Sequence, residues 1–317
     1  MTPVAWKRPV LVLSLAGLAC SEPRREVAIT FDDLPVVSRR DWPVNDTIIE
    51  RLLSALQQSG APIVGFVNEQ NLYAEPGRPP DPSQVALLTR WVAAGFELGN
   101  HTYSHADLHA VGPDRFLAEI ARGDSVTAAL LAARGQRPRF FRHPYLHTGR
   151  SLAVRERVDS ALSARGYRVA PVTIDDRDWE FAEAYEEAIE RRDAGLKERI
   201  ATAYLAYMDV VFGYYEAESR ALLGRELPQI LLLHANALNA DRFGALAGMM
   251  ARRGYRFVPL ERALADPAYG LPDRYIGPRG PSWLLRWAIT RGTRSPDLDD
   301  EPRPPGFVRR LAAPTGR

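Results

Sequence analysis

From Glu26 to Leu260 the chain alternates seven short apolar runs with segments of helical period, and this alternation leaves few folds open. The runs are "EVAITF", "PIVGFV", "FELGNH", "RFFRHPYL", "YRVAPVTI", "QILLLHA" and "YRFVPL". They are short and rich in β-branched or aromatic residues, as buried strands are. Between them lie "TIIERLLSALQQSG", "PSQVALLTRWVAAG", "GPDRFLAEIARGDSVTAALLAARG", "SLAVRERVDSALSARG" and "DRFGALAGMMARRG", each apolar at helical spacing and each ending on glycine. Strands joined by helices are parallel neighbours, because a parallel pair needs a crossover. No glycine-rich phosphate loop follows the first strand, so a barrel suits the pattern better than a dinucleotide-binding sheet. The expected fold is α/β, a parallel (β/α) barrel of about seven strands.

Two stretches stand outside the alternation. Residues 180–223 exceed a normal crossover and are expected to be a helical insertion before the strand "QILLLHA". Beyond Pro281, "SWLLRWAI" has the spacing of an amphipathic helix with tryptophans on its apolar side. The final twenty or so residues, dense in Pro, Arg and Asp, have the composition of a disordered tail. The expected organisation is therefore a leader over residues 1–20, one domain over 26–267, and a helix and tail over 268–317.

The leader is expected because Lys7 and Arg8 precede an apolar stretch from Pro9 to Ala19, too short for a stable membrane anchor. Small residues before Cys20, the sole cysteine, complete a signal-peptide pattern. "LAGLAC" also resembles the lipobox of bacterial lipoproteins, with Gly17 where an aliphatic residue is usual. The expectation is export to the periplasm or cell envelope, with membrane attachment only through a lipid on Cys20. The formal charge of +2 comes from arginines spread along the chain and at its ends rather than from a basic patch, which argues against nucleic acid as a partner.

Polar clusters fall where the strands end, the edge on which parallel barrels build active sites. At the end of the first strand stand Asp32 and Asp33. One carboxylate there can bind a cation while its neighbour handles protons, or the pair can simply stabilise a turn. "ELGNHTYSHADLH" holds three of the six histidines. His101 and His105, four apart, share one face if the segment is a helical turn, and two imidazoles with one carboxylate make the ligand set of an open zinc site. Surface or capping histidines are the plainer alternative, and His109 is expected at the surface. In "FFRHPYLHTG", Arg142 either holds a carboxylate ionised or makes a structural ion pair, and His143 and His147 are expected to face outward. His234 ends the aliphatic run "ILLLH", as a core histidine or, with Asp178 of "TIDDRDW" bonding one ring nitrogen, as an acid.

In order and spacing, "TFDD", "HTYSH", "RHPY", "DDRDW" and "LLLH" resemble the five motifs of the polysaccharide deacetylase family with a NodB-homology domain. The resemblance implies a distorted parallel barrel that removes N-acetyl, sometimes O-acetyl, groups from sugar polymers or oligomers with a divalent metal, usually zinc or cobalt. It further implies Asp33, His101 and His105 as metal ligands, Asp32 as general base oriented by Arg142, and the Tyr145 backbone N–H as an oxyanion donor. Asp178 would position His234, the general acid, and Leu232 and Trp179 would line the acetyl pocket. Ala235, His143 and the long insertion depart from the family pattern. Two rival readings accompany this one: a related metal-dependent amidase or cyclic imidase for small substrates, which the insertion would suit, and a lapsed, carbohydrate-binding lipoprotein.

Overall fold

A computed structural model describes residues 25–38, 44–75, 77–295 and 297–312. The expected leader and Cys20 lie outside the described residues. Among the described residues no helix is long and apolar enough to cross a membrane.

All seven expected strands are present: β1 (Arg25–Leu34), β2 (Ile63–Val67), β3 (Glu97–Asn100), β4 (Phe140–Phe141), β5 (Arg168–Val169), β6 (Gln229–His234) and β7 (Tyr255–Phe257). The helices before the fifth strand are α1 (Val44–Ser59), α2 (Pro82–Ala93), α3 (Leu108–Arg122), α4 (Ser125–Ala132) and α5 (Leu152–Ala164). Those after it are α6 (Asp178–Glu190), α7 (Ala194–Leu223), α8 (Ala237–Arg252), α9 (Leu260–Ala263), α10 (Trp283–Thr290) and α11 (Gly306–Ala312). The sheet is parallel throughout, in the order β5-β4-β3-β2-β1-β6, with β7 beside the start of β1. Beyond β5 the chain turns back to β6: the amides of Thr173 and Ile174 both donate to the Ile230 carbonyl at 3.0 Å, and Leu232 N–H to Ile174 O at 3.1 Å. These bonds bring the two edges of the curled sheet together, as in a distorted barrel.

β1 and β2 are buried on both faces, which parallel strands covered by helices require. Low in the barrel the interior is apolar, with Ala28, Val64, Phe66, Phe140 and Ile230 in one cluster. Towards the strand ends it turns polar, with Thr30, Asp32 and Arg142 all buried. The larger core lies outside, between the sheet and α1, α2, α6, α7, α8 and α10.

Three expectations change. The single helix expected from "GPDRFLAEIARGDSVTAALLAARG" is two, α3 and α4, broken at Gly123. A Cβ on Gly123 would stand 2.6–2.8 Å from backbone atoms of Thr102 and Tyr103, so the break admits the histidine loop. "SWLLRWAI" is not amphipathic: Trp283 to Ala288 are all buried, Arg286 among them. The tail expected to be disordered is ordered through residue 312. Val308 is buried in α11, which packs on α6; Tyr207 donates to Pro302 O at 3.1 Å, and Arg199 lies 4.3 Å over the Phe307 ring. The apolar residues of "GFVRRLA" supply a packing face that the surrounding Pro, Arg and Asp obscure in the composition.

Candidate metal centre and catalytic pocket

Alternation along a strand would send Asp32 and Asp33 to opposite faces. It does not, because Asp33 is left-handed (φ 62°) and the register of β1 against β2 shifts between Phe31 and Leu34. This bulge swings Asp33 to the same mouth that Asp32 faces. Asp32 is 2% exposed. Burial raises its pKa to about 6, and Arg142 and then His234 oppose the rise.

His101 follows β3, but residues 101–107 form a loop, not the helical turn expected from the four-residue spacing. Thr102 (φ 66°) and His105 (φ 54°) are left-handed. The Asn100 side chain accepts the Thr102 N–H at 2.8 Å, and Glu119 of α3 accepts the N–H and hydroxyl of Ser104 at 2.9 and 2.7 Å. So held, the His101 and His105 rings meet at 66° with centroids 5.0 Å apart. His101 Nδ1 sits 2.8 Å from the Arg142 carbonyl, which fixes the proton on Nδ1 and leaves Nε2 as a lone pair. Burial depresses both pKa values, reinforced at His101 by His105 and opposed at His105 by Asp33, so both rings are disposed to be neutral.

Arg142 is fully buried at the end of β4. Its Nη1 lies 3.7 Å from Asp32 Oδ2, its Nη2 donates to Thr30 Oγ1 at 3.0 Å, and its guanidinium lies 4.7 Å over the Phe66 ring. Tyr145 and Leu146 follow in a tight turn, both left-handed at φ 56° and 55°. The Tyr145 ring is exposed and 4.4 Å from the His105 ring. His143 does not face outward as expected. It is 1% exposed, with its ring stacked on Phe116 and edge-on to Phe141, because the strand direction turns it towards α3.

Across the mouth, His234 ends β6 opposite Asp32, the two being register partners on neighbouring strands. Asp178, at the start of α6 and wholly buried, accepts from His234 Nδ1 at 2.6 Å and from the His234 backbone N–H at 2.9 Å. Burial alone would lower the His234 pKa; Asp178, with Asp33 and Asp32 behind it, outweighs that and pushes it up to about 10. The sequence reading missed Asn236 and Asn239, which donate to Asp178 Oδ2 at 3.3 and 2.6 Å. Tyr204 of α7 donates in turn to Asn239 Oδ1 at 2.9 Å, so the insertion braces the pair from behind. The signal was present: "HANALNA" puts both asparagines just past the strand, at the cap of the next helix.

Asp32, Asp33, His101, His105 and His234 line one cavity of about 390 Å³ with Leu232, Trp179, Tyr145, Asp175 and Gly280. Leu232 is buried and Trp179 half-exposed at the rim. His101 Nε2 and His105 Nε2 each lie 3.5 Å from Asp33 Oδ1, an oxygen buried without a hydrogen-bond partner. A tetrahedral ion with bonds of about 2.1 Å has ligand–ligand edges of about 3.4 Å, so the trio fits a divalent cation. Two neutral imidazoles and one carboxylate, its oxygen otherwise unpartnered, make a donor set that zinc accepts. A second trio, Asp107, His109 and His147, is also close together. Its two rings stack 3.9 Å apart at 7°, so their in-plane lone pairs run parallel, and Gly149 N–H already donates to His109 Nε2. Of the two, the first trio is the one that lines the cavity beside Asp32 and His234.

Comparison with known proteins points to one family. The family model described as Polysaccharide deacetylase matches residues 20–170, stopping before Asp178 and His234. A chitin deacetylase of Pestalotiopsis is 31% identical over 182 residues, 56% of this chain and 51% of that protein. A probable peptidoglycan-N-acetylglucosamine deacetylase of Arthroderma benhamiae is 32% identical over 154 residues, 49% of this chain and 30% of that one. The chain thus spans about half or less of the length of these two relatives. Among solved structures, a polysaccharide deacetylase of Bacillus cereus aligns with a TM-score of 0.50 at 20% identity, covering 74% of this chain and 92% of that one. A CE4 family pseudoenzyme of Bacillus anthracis aligns at 0.51 and 15%, covering 77% and 66%. At these identities the structures show the shared fold alone.

Proposed function

We propose that this chain, which carries a polysaccharide deacetylase domain, hydrolyses the acetyl amides of an N-acetylated saccharide of the chitin or peptidoglycan type. The observation that carries the reading is convergence: Asp33, His101 and His105 meet within one cavity that also presents Asp32 and His234, the latter bonded from behind by buried Asp178. Asp33, His101 and His105 would hold a divalent cation, most readily zinc, with cobalt as an alternative. When bound, that ion supplies Lewis acidity towards the amide carbonyl and the attacking water.

The remaining chemistry belongs to the chain. Asp32, held by Arg142, takes a proton from water as the new C–O bond forms. The Tyr145 backbone N–H stabilises charge gathering on the acyl oxygen. His234, kept protonated by Asp178, gives its proton to the nitrogen as the C–N bond breaks, so that acetate and a free amine leave. Leu232 and Trp179 wall the acetyl methyl. The exposed Trp179 and Tyr145 flank the opening with aromatic surface suited to a sugar face.

The insertion does not favour a small, enclosed substrate: no residue of 180–223 lines the cavity. Nor is any member of the ligand, base or acid set missing, as a lapsed binding protein would suggest. The leader expected over residues 1–20 would carry the domain to the periplasm or cell envelope, with Cys20 as the lipid attachment point. A Cys20→Ser chain appearing in the soluble rather than the membrane fraction would support that anchor; unchanged partition would remove it. The activity test is acetate release from chitin oligomers, peptidoglycan fragments, acetylated xylan and small amides, after chelation and after return of zinc or cobalt. Release that disappears with the metal and returns with it is expected. Silence on every saccharide beside turnover of a small amide would overturn the proposal.

A further inference from the structure

The turn carrying Tyr145 is built against local preference. Two consecutive non-glycine residues, Tyr145 and Leu146, are left-handed, a conformation that crowds Cβ against the backbone. Such turns persist only where the surroundings over-determine them. Here the surroundings come from a segment more than a hundred residues later in the chain and beyond the region matched by the family model.

Arg286 of α10 is 1% exposed and aims its guanidinium at this turn. Its Nη2 donates to the Leu146 carbonyl, its Nη1 to Thr148 Oγ1 at 2.8 Å, and its Nε to Pro281 O at 2.8 Å. The Trp283 ring lies 4.1 Å from the guanidinium carbon, and Asp273 Oδ2 lies 3.5 Å from Nη1. Arg155 reinforces the anchor, donating to Thr148 Oγ1 at 2.8 Å and to the Tyr275 carbonyl. Trp283 N–H donates to Val172 O at 2.8 Å, tying the start of α10 to the chain beyond β5. On the other side of the turn, Gly280 is in direct contact: a Cβ there would stand 1.9 Å from the Tyr145 carbonyl oxygen and 3.0 Å from Leu146 Cβ.

We propose that Gly280 and Arg286 form a clamp that positions the Tyr145–Leu146 turn, aiming the Tyr145 N–H and ring at the cavity. Neither is a catalytic residue; both act through Tyr145. The inference rests on the deacetylase reading for its consequence in turnover, but the clamp itself is a structural claim with its own readout. Displacing a transition-state donor by about 1 Å costs on the order of 100-fold in rate and little in ground-state binding.

The test uses the full chain with Gly280→Ala, which presses on the turn from the cavity side, and Arg286→Lys, which keeps the charge but loses the fork that joins Leu146, Thr148 and Pro281. Both should lower kcat for acetate release by about 10- to 100-fold, with KM within about threefold and zinc content unchanged. In both, the Leu146 and His147 amides, bonded at 3.0 Å to His143 O and Pro144 O, should exchange hydrogen faster than in the parent. Parental kcat in either variant, or a raised KM with kcat kept (as if the new methyl merely filled the pocket), overturns the clamp. So does unchanged exchange at both amides. A parent that releases no acetate at all sinks the deacetylase reading instead, and the exchange measurement then decides the clamp alone.

Discussion

Replacing His143 with phenylalanine separates what burial does to a ring from what catalysis does with one. The ring lies between Phe116 and Phe141 at 1% exposure, and neither nitrogen closes a well-formed hydrogen bond. Burial, with Arg286 and Arg155 adding repulsion, pushes its pKa from 6.5 down to about 3, against slight support from the His147 backbone. In the unfolded chain the ring keeps its ordinary value. Between those two values the unfolded state binds a proton that the native state refuses. The contribution of neutral His143 to stability is therefore intact above pH 6.5 and is lost as pH falls towards 3. Linkage gives a loss of about 2 kcal/mol by pH 5 and about 3 kcal/mol by pH 4. Phenylalanine fits the same aromatic slot and cannot titrate, so any packing cost it brings is the same at every pH. Urea unfolding of parent and His143→Phe at pH 7.5 and pH 5 should show the parent losing about 2 kcal/mol more than the variant over that interval. Parallel losses in the two proteins would refute the reasoning, since they would mean that the folded ring takes up its proton as freely as the unfolded one.

Other outcomes follow from the site. His101→Ala should bind less than a tenth of the zinc held by the parent in metal analysis, with an unchanged circular dichroism spectrum; full occupancy would contradict the proposed ligand set. Asp178→Asn removes the charge that holds His234 above its ordinary pKa. Acetate release at pH 7 should fall by about 100- to 10,000-fold, and the alkaline limb of the pH–rate profile should move to lower pH. An unmoved limb would take the acid role away from His234. Arg142→Met removes the main influence opposing the rise in the Asp32 pKa, so the acid limb that Asp32 sets should move up; a limb that stays put would exclude Asp32 as the base. Val308→Asp puts an unpaired charge into the contact of α11 with α6 and should lower the melting temperature by several degrees, whereas a disordered tail would leave it unchanged.

The sequence shows the fold's order more clearly than its details. Apolar runs reveal all seven strands, most plainly β1, β2 and β6, which are buried on both faces, whereas β5 and β7 each keep an exposed arginine. The runs do not give strand length: "RFFRHPYL" and "YRVAPVTI" each contribute only two ladder residues, in β4 and β5, before the chain leaves to build the mouth. The site residues are legible as types at strand ends. How they converge is not, since Asp33, Thr102, His105, Tyr145, Leu146 and Arg177 are all left-handed although none is glycine. Local propensity argues against that conformation at each of the six. It is selected by long-range contacts, such as the packing of the histidine loop on Gly123, that no local pattern encodes.

Arg286 shows what a closer reading of composition can recover. In "SWLLRWAI" one arginine sits among tryptophan, leucine, alanine and isoleucine, and helical periodicity suggests a polar edge on an amphipathic helix. The alternative is a helix buried all round, and then the arginine cannot stand alone, because a buried charge without partners is far too costly to persist. It must meet carbonyls or a carboxylate from elsewhere in the chain. Guanidinium donors in a fixed fork suit carbonyls left outward-facing by an irregular turn. The irregular turn within reach is the one at Tyr145, so the lone charge in an apolar helix and the strained turn at the pocket account for each other.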